Sequence, residues 1–280
     1  MATAISFNDL RGASTRFYYI METGYIPNVP TYSRLLDAGW NGTSPVTFII
    51  PNGTYCYATA RYYYGLTVSG IYPNGIQIRN FGYIVGAGGY GGYGSSLYGY
   101  SYANGNDGGH AIGILAHPTY GLPKFYLANS GVIGGGGGGG AGGDQGDYGY
   151  GGGGGGGGAG GGAGFNAAQT VWSGGPGGSA GVGSGLGLTD GTTGNFLTGG
   201  AGGSGGASGG YGDDRYGGAG GAGGDLGLDG SYGGGRPGSG TPGIAGYCVY
   251  RYGSISDFAL VTVGKGVYYD NSGTRRILYG

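Results

Sequence analysis

Charge is scarce in this chain: 9% of its residues are Asp, Glu, Lys or Arg, and 12 basic against 13 acidic side chains leave a formal net charge of -1. There is no basic block, and Arg275-Arg276 is only a pair, so the electrostatic footprint of a nucleic-acid binder is missing. Cysteine is nearly absent. Cys56 and Cys248 are too few for a disulfide framework or a Cys-only metal site, and they read as free structural thiols, with a bridge between them as the alternative. No apolar run approaches membrane-spanning length. The opening Met1 to Leu10 lacks the basic start and apolar core of a signal peptide, so an extracellular role is expected to depend on lysis or on a particle.

Catalytic patterns are equally thin. His110 and His117 stand seven apart in a Pro- and Gly-rich stretch with no carboxylate at a metal-ligand spacing. Gly-X-Gly recurs everywhere and no phosphate-loop lysine motif follows it; Asp144 and Asp147 are loop carboxylates without a cleft. The expectation is no enzyme, no cofactor and no metal.

Glycine is what abounds, at 84 of 280 residues, together with 29 tyrosines. So much glycine leaves too few side chains for a hydrophobic core across the middle. The order within it matters. Ala87-Gly-Gly-Tyr90-Gly-Gly-Tyr93, Ala201-Gly-Gly-Ser204-Gly-Gly-Ala207 and Ala219-Gly-Gly-Ala222-Gly-Gly-Asp225 place one side chain every three residues. Three residues make one turn of a polyproline II helix, so one edge carries side chains and two can meet neighbouring backbones without a Cβ between them. Such helices have no internal hydrogen bonds, and adjacent ones supply the missing partners. The runs at about 134–143, 151–164, 174–185, 199–210, 217–224 and 233–246 therefore read as a packed bundle and not as flexible linker. The last run keeps its phase through Arg236, Ser239, Pro242, Ala245 and Cys248.

Four segments follow. Residues 1–45 have ordinary composition, with a short helix expected around Arg34–Ala38, capped by Thr31 or Ser33 and stopped by Gly39. Phe7, Phe17, Tyr18, Tyr19 and Trp40 on this stretch either form a small core or cover a partner. Residues 46–133 hold short strands at 46–50, 66–68, 76–78, 83–85, 125–127 and 132–133, divided by turns such as Pro51-Asn52-Gly53 and Pro73-Asn74-Gly75, which could stack as solenoid-like rungs. The first glycine run, 86–94, lies in this segment but is expected to join the later bundle. Residues 134–246 are the bundle, and 247–280 form a C-terminal β segment expected to pair with the N-terminal strands or cap the bundle. The fold class is mostly irregular and β, with packed polyglycine II helices at its centre.

Between the runs lie aromatic loops. Tyr98, Tyr100, Tyr148, Tyr150, Trp172, Phe196, Tyr211, Tyr216 and Tyr232 are candidate recognition residues. Tyrosine and tryptophan give broad amphipathic contact at low ordering cost, and the surrounding Gly, Ser and Asn let the backbone adapt, as in antibody paratopes. If the runs go back and forth, one end is expected to gather the loops at 144–150, 186–198 and 225–232, and the other those at 165–173 and 211–216.

The ordinary N-terminal segment, the strands ending Leu127-Ala-Asn-Ser-Gly-Val-Ile133 before Gly134 to Gly140, and the alternation of glycine runs with aromatic loops together resemble the receptor-recognising adhesins at the distal tip of T-even-type bacteriophage long tail fibres. The opening Ile5-Ser-Phe-Asn-Asp-Leu-Arg-Gly12 is similar to the start of several phage tail and fibre proteins. That resemblance implies a polyglycine II sandwich carried at the virion's fibre tip. It implies a mount on the trimeric distal fibre protein through residues 1–45, alone or helped by the C-terminal strands, with Phe7, Leu10, Phe17, Tyr18, Tyr19, Leu35, Leu36 and Trp40 as candidates, and loops that touch an outer-membrane protein or surface glycan of the host, determining host range. The competing class is a glycine- and tyrosine-rich coat protein that self-assembles.

Overall fold

Short strands of 2–5 residues can stand only if they stack, and here they stack in three directions. The computed structural model describes residues 3–6, 16–94, 104–117, 123–143, 154–161, 189–195, 197–204, 218–234, 240–252, 258–261, 266–269 and 275–278, with side chains between 16 and 250. Each turn of chain lays down three strands on three faces. The first turn is β2 (Phe17–Ile20), β3 (Gly24–Pro27) and β4 (Val29–Pro30), preceded by β1 (Thr3–Ser6). After α1 (Thr31–Asp37) come β5 (Val46–Ile50), β6 (Thr54–Tyr57) and β7 (Leu66–Val68), then β8 (Ile76–Asn80), β9 (Tyr83–Val85) and β10 (Ile112–Leu115). The fourth turn is β11 (Phe125–Asn129), β12 (Val132–Gly134) and β13 (Val249–Tyr252); β14 (Phe258–Val261) begins a fifth.

The faces are parallel sheets in the orders β2-β5-β8-β11-β14, β3-β6-β9-β12 and β4-β7-β10-β13, with β1 added antiparallel to β2. The C-terminal strands β13 and β14 thus pair with β10 and β11 at the far end of the stack from β1, and the hairpin of β15 (Gly266–Tyr269) and β16 (Arg275–Leu278) lies against β12.

Registered strands put like residues over like. Val46, Ile76 and Phe125 form one column, and Phe48, Ile78 and Leu127 the next; all six are fully buried. Ile26, Cys56, Ile84 and Ile133 line the second face inward, while Tyr25, Tyr55 and Tyr83 stack outside it with ring centroids 4.4 and 4.6 Å apart. At the corner between the first two faces Asn80 donates to Asn129 Oδ1 at 2.8 Å, and each accepts from the glycine two residues on, Gly82 and Gly131. A buried side-chain ladder thereby satisfies the turn's amides.

The helix begins three residues earlier than the sequence suggests, directly after Pro30, and no side chain caps it. Thr31 is fully buried, and its hydroxyl instead meets the Tyr72 hydroxyl at 2.7 Å and donates to the Thr67 carbonyl at 3.0 Å. Gly39, at φ +89°, follows its end. Trp40 packs between Tyr32 and Tyr72 and donates to the Ser44 carbonyl, so these aromatics build core. Cys56 and Cys248 are buried and not bridged to each other. Burial pushes the Cys56 thiol up to about 12, and it behaves as a small apolar side chain.

The long insertions leave the strands at one corner. Between the second and third faces the first turn spends Asn28 alone, the second residues 58–65, the third 86–111 and the fourth 135–248. The glycine runs are these last two insertions. No helix among the described residues is long and apolar enough to cross a membrane.

Candidate functional site

The direction of each run follows from its hydrogen bonds. Residues 86–94 and 134–143 leave the strands side by side, with the amides of Gly86, Gly89 and Gly92 donating to the carbonyls of Gly134, Gly137 and Gly140. Residues 154–161 come back between them: Gly140 donates to Gly156 and Gly137 to Ala159, while Gly155 donates to Gly92 and Gly158 to Gly89. Residues 189–195 run inward beside 154–161, residues 199–204 outward, 218–224 inward, 228–234 outward, and 104–111 and 240–247 inward to β10 and β13. Hydrogen bonds recur at every third residue.

Composition tracks position. Residues 134–143 and 154–161 are buried throughout, and apart from Ala141 and Ala159 they are all glycine. Neighbours surround them: a Cβ on Gly136 would lie 1.8 Å from the Ala87 carbonyl oxygen, and one on Gly156 2.0 Å from that of Gly200. Peripheral runs carry Gly-Gly-X with X turned out, as at Tyr90 and Tyr93, Ala201 and Ser204, and Ala219, Ala222 and Asp225. On the final run the exposed series is Thr241, Ile244 and Tyr247, whereas Ala245 and Cys248 of the series read from sequence are buried.

At the edges side chains replace missing carbonyls. The amides of Thr241, Ile244 and Tyr247 donate to Asn104 Oδ1, Asp107 Oδ1 and His110 Nδ1 at 2.8, 2.8 and 2.9 Å, one rail of acceptors spaced by three. Ala245 donates to Asp229, Gly199 to Asp225, Ala201 to Thr192 and Ser204 to Thr189. His110 must be neutral to accept, and burial lowers its pKa to about 4 although Asp107 pulls the other way. Its ring stacks on Tyr250 at 4.4 Å.

The run directions sort the ends. At the end remote from the strands the chain departs at Gly94, Gly143, Ser204 and Gly234 and returns at Asn104, Gly154, Gly218 and Gly240. The strand-side end holds Asn195, which accepts from Gly160 and from the amides of Leu197 and Thr198, and the turn at 225–228, where Leu226 packs on Tyr57 and Val85 and Gly227 donates to Gly135. The expected grouping of loops is thus corrected. Residues 186–198 are no single loop, because 189–195 is itself a run, and the 225–228 turn faces the strands.

Of the recognition candidates, Tyr232 is described; it is 69% exposed and lies on the outgoing run near the remote end. Tyr98, Tyr100, Tyr148, Tyr150, Trp172, Phe196, Tyr211 and Tyr216 lie outside the described residues, as do the mount candidates Phe7 and Leu10. The residues flanking Phe196 belong to the strand-side turn. Phe17 and Tyr18 are half-buried on β2, Leu36 is exposed on α1, and Tyr19, Leu35 and Trp40 are core. No group of His, Cys, Asp and Glu that could hold a metal occurs among the described residues. Sequence reasoning missed the acceptor rail, whose signal was the spacing of Asn104, Asp107 and His110.

Residues 23–276 match the family model described as phage tail fibre adhesin Gp38. The fold is similar to a chain in the crystal structure of the gp37-gp38 adhesin tip complex of the bacteriophage S16 long tail fiber, with a TM-score of 0.50 and 22% identity over 88% of this chain and 78% of that one. No curated protein matches the sequence.

Proposed function

The chain belongs to the family of phage tail fibre adhesins, and from that premise we propose that it is a noncatalytic receptor-binding head whose strand solenoid mounts on the fibre and whose glycine bundle presents recognition loops to a bacterial outer-membrane protein or surface glycan, determining host range. In this reading the chain divides into a mount at 1–45, strands at 46–133, a bundle of polyglycine II helices at 134–246 and a C-terminal β segment at 247–280. Threefold hydrogen-bond spacing and interior runs of glycine broken only by Ala141 and Ala159 support the polyglycine II assignment.

One observation carries the functional reading. The four departures from the remote end of the bundle open onto 95–103, 144–153, 205–217 and 235–239, and the first three segments contain Tyr98, Tyr100, Tyr148, Tyr150, Tyr211 and Tyr216. A rigid bundle makes such a set convergent, and aromatic anchors dominate binding at interfaces of this kind. These six with Tyr232 are the proposed receptor contacts. Phe196, flanked by the strand-side turn, is proposed to stand apart from them, and Trp172 is left as a candidate on its loop composition alone.

For the mount we propose the β1–β2 end of the solenoid, using Phe7, Leu10, Phe17, Tyr18 and Leu36, with Tyr19, Leu35 and Trp40 supporting from the core. The partner would be a trimeric long-tail-fibre protein, and the chain would reside at the virion's fibre tip.

The test is adsorption by particles carrying substituted protein. Tyr148→Ala combined with Tyr211→Ala is expected to lower adsorption to host cells at least tenfold while fibre incorporation and melting stay unchanged; Phe196→Ala should leave adsorption near its starting value. Unchanged adsorption by the double variant overturns the assignment. Self-association of the isolated chain without selective cell binding would favour the coat-protein class instead.

A further inference from the structure

Along the flank of the bundle, between the mount and the remote end, runs an open groove of about 580 Å³. Arg61, Asn104, Asp107, Asp229, Tyr232 and Ile244 are among the residues that line it. Its size is within the range of small-ligand sites.

We infer that this groove is a saccharide subsite, binding a short bacterial surface oligosaccharide by hydroxyl donation to fixed side-chain acceptors and by stacking on tyrosine. Choosing bacterial saccharides rests on the adhesin reading; the groove chemistry does not.

The groove's backbone is already spent. The amides of Thr241, Ile244 and Ala245 go to Asn104, Asp107 and Asp229, and the carbonyls of Thr241 and Ile244 accept from Gly105 and Gly108. A peptide therefore finds no free edge along this run on which to add as a strand. What is left is side-chain chemistry. The second carboxylate oxygen of Asp107 and the amide nitrogen of Asn104 have no hydrogen bond among the described residues, and the first oxygen of each is pinned by a main-chain amide. Such groups are held in place before a ligand arrives, so little ordering is required on binding. Carboxylate oxygens accept strong bonds from hydroxyls, and a carboxylate beside a carboxamide suits ligands that both donate and accept, as vicinal hydroxyls do.

Tyr232 supplies a flat face on the groove wall and is 69% exposed. The Arg61 guanidinium lies 4.7 Å above the Tyr62 ring and makes no ion pair among the described residues. A sugar ring has an apolar C–H face that packs on tyrosine, and the arginine offers planar donors to ring oxygens or an acidic substituent. Ile244, 59% exposed, adds apolar surface.

The experiment uses the full chain and a panel of immobilised oligosaccharides released from bacterial lipopolysaccharides and capsules, followed by calorimetry on the saccharide that binds best. Arg61→Ala and Tyr232→Ala are each expected to weaken binding about tenfold or more with unchanged melting. Asp107→Asn keeps an oxygen for the Ile244 amide and should weaken binding several-fold. Tyr148→Ala, at the proposed receptor-facing tip and outside the described groove lining, should leave binding of the saccharide to the groove intact whether or not adsorption falls, which separates failure of the groove from failure of the tip. Absence of binding across the panel, affinity equal in the Arg61→Ala and Tyr232→Ala proteins, or capture of outer-membrane protein fragments by the groove in place of saccharide would overturn the inference.

Discussion

The strand solenoid and the glycine bundle solve the same problem from opposite sides. In the solenoid, columns such as Val46-Ile76-Phe125 fill the interior and the strands tolerate only side chains that fit there. In the bundle the interior is backbone, and the smallest side chain with a Cβ is excluded at most positions along 134–143 and 154–161. Cohesion in the first comes from apolar area removed from water, in the second from amide-carbonyl pairs packed at close range. The lesson is that added bulk and lost bulk should have opposite rankings in the two halves.

Gly156→Val offers the sharpest break. Its Cβ would meet the Gly200 carbonyl oxygen at 2.0 Å and the Gly223 nitrogen at 2.8 Å, both backbone atoms that cannot swing aside. The expected loss exceeds about 4 kcal/mol, seen as disappearance of cooperative melting, while Ala222→Val on an exposed edge should stay within about 0.5 kcal/mol. Equal stability of the two variants would mean that the interior runs are not densely packed. Phe48→Ala comes next: it removes a fully buried ring from the solenoid and is expected to cost about 3 to 5 kcal/mol by chemical denaturation.

Acid should act on the bundle's edge. His110 has its pKa lowered from 6.5 to about 4, so the unfolded chain takes up a proton that the folded one refuses. Stability from this group is complete above pH 6.5, falls as pH drops from 6.5 to about 4, and is level below that. The steepest possible slope is about 1.4 kcal/mol per pH unit. His110→Asn, which keeps an acceptor but cannot titrate, should flatten that part of the profile in melts between pH 7 and 4. A profile identical to that of the unsubstituted protein would show that the rail contributes nothing to this dependence.

Much of the solenoid is legible in the sequence because each strand is a compact run of β-branched or aromatic residues closed by a turn. Val46–Ile50, Leu66–Val68, Ile76–Ile78 and Tyr83–Val85 all appear where expected, and Leu35 sits in the short helix. What could not be read was which strands share a face, since that depends on corner lengths from 1 residue to 114. Three-residue phasing pointed to packed runs where glycine fills at least one spacer position throughout and the run is long, as at 134–143 and 233–246. Thr189, Thr192 and Asn195 keep the period with threonine, aspartate and leucine around them, so 189–195 resembled a loop. Phe7, Phe17, Tyr18, Tyr19 and Trp40 left core and partner open in the sequence; of these, Tyr19 and Trp40 are buried.

All the glycine runs spring from one corner, and the backbone passes between head and base four times, after Val85 and Ile133 on the way out and before Ile112 and Val249 on the way back. Force applied at the tip of a tethered particle would divide over four covalent cables. Between neighbouring runs it would be borne in shear by many amide bonds at once, so the molecule is built to be pulled along its length and to yield, if anywhere, at the stack of strands beneath.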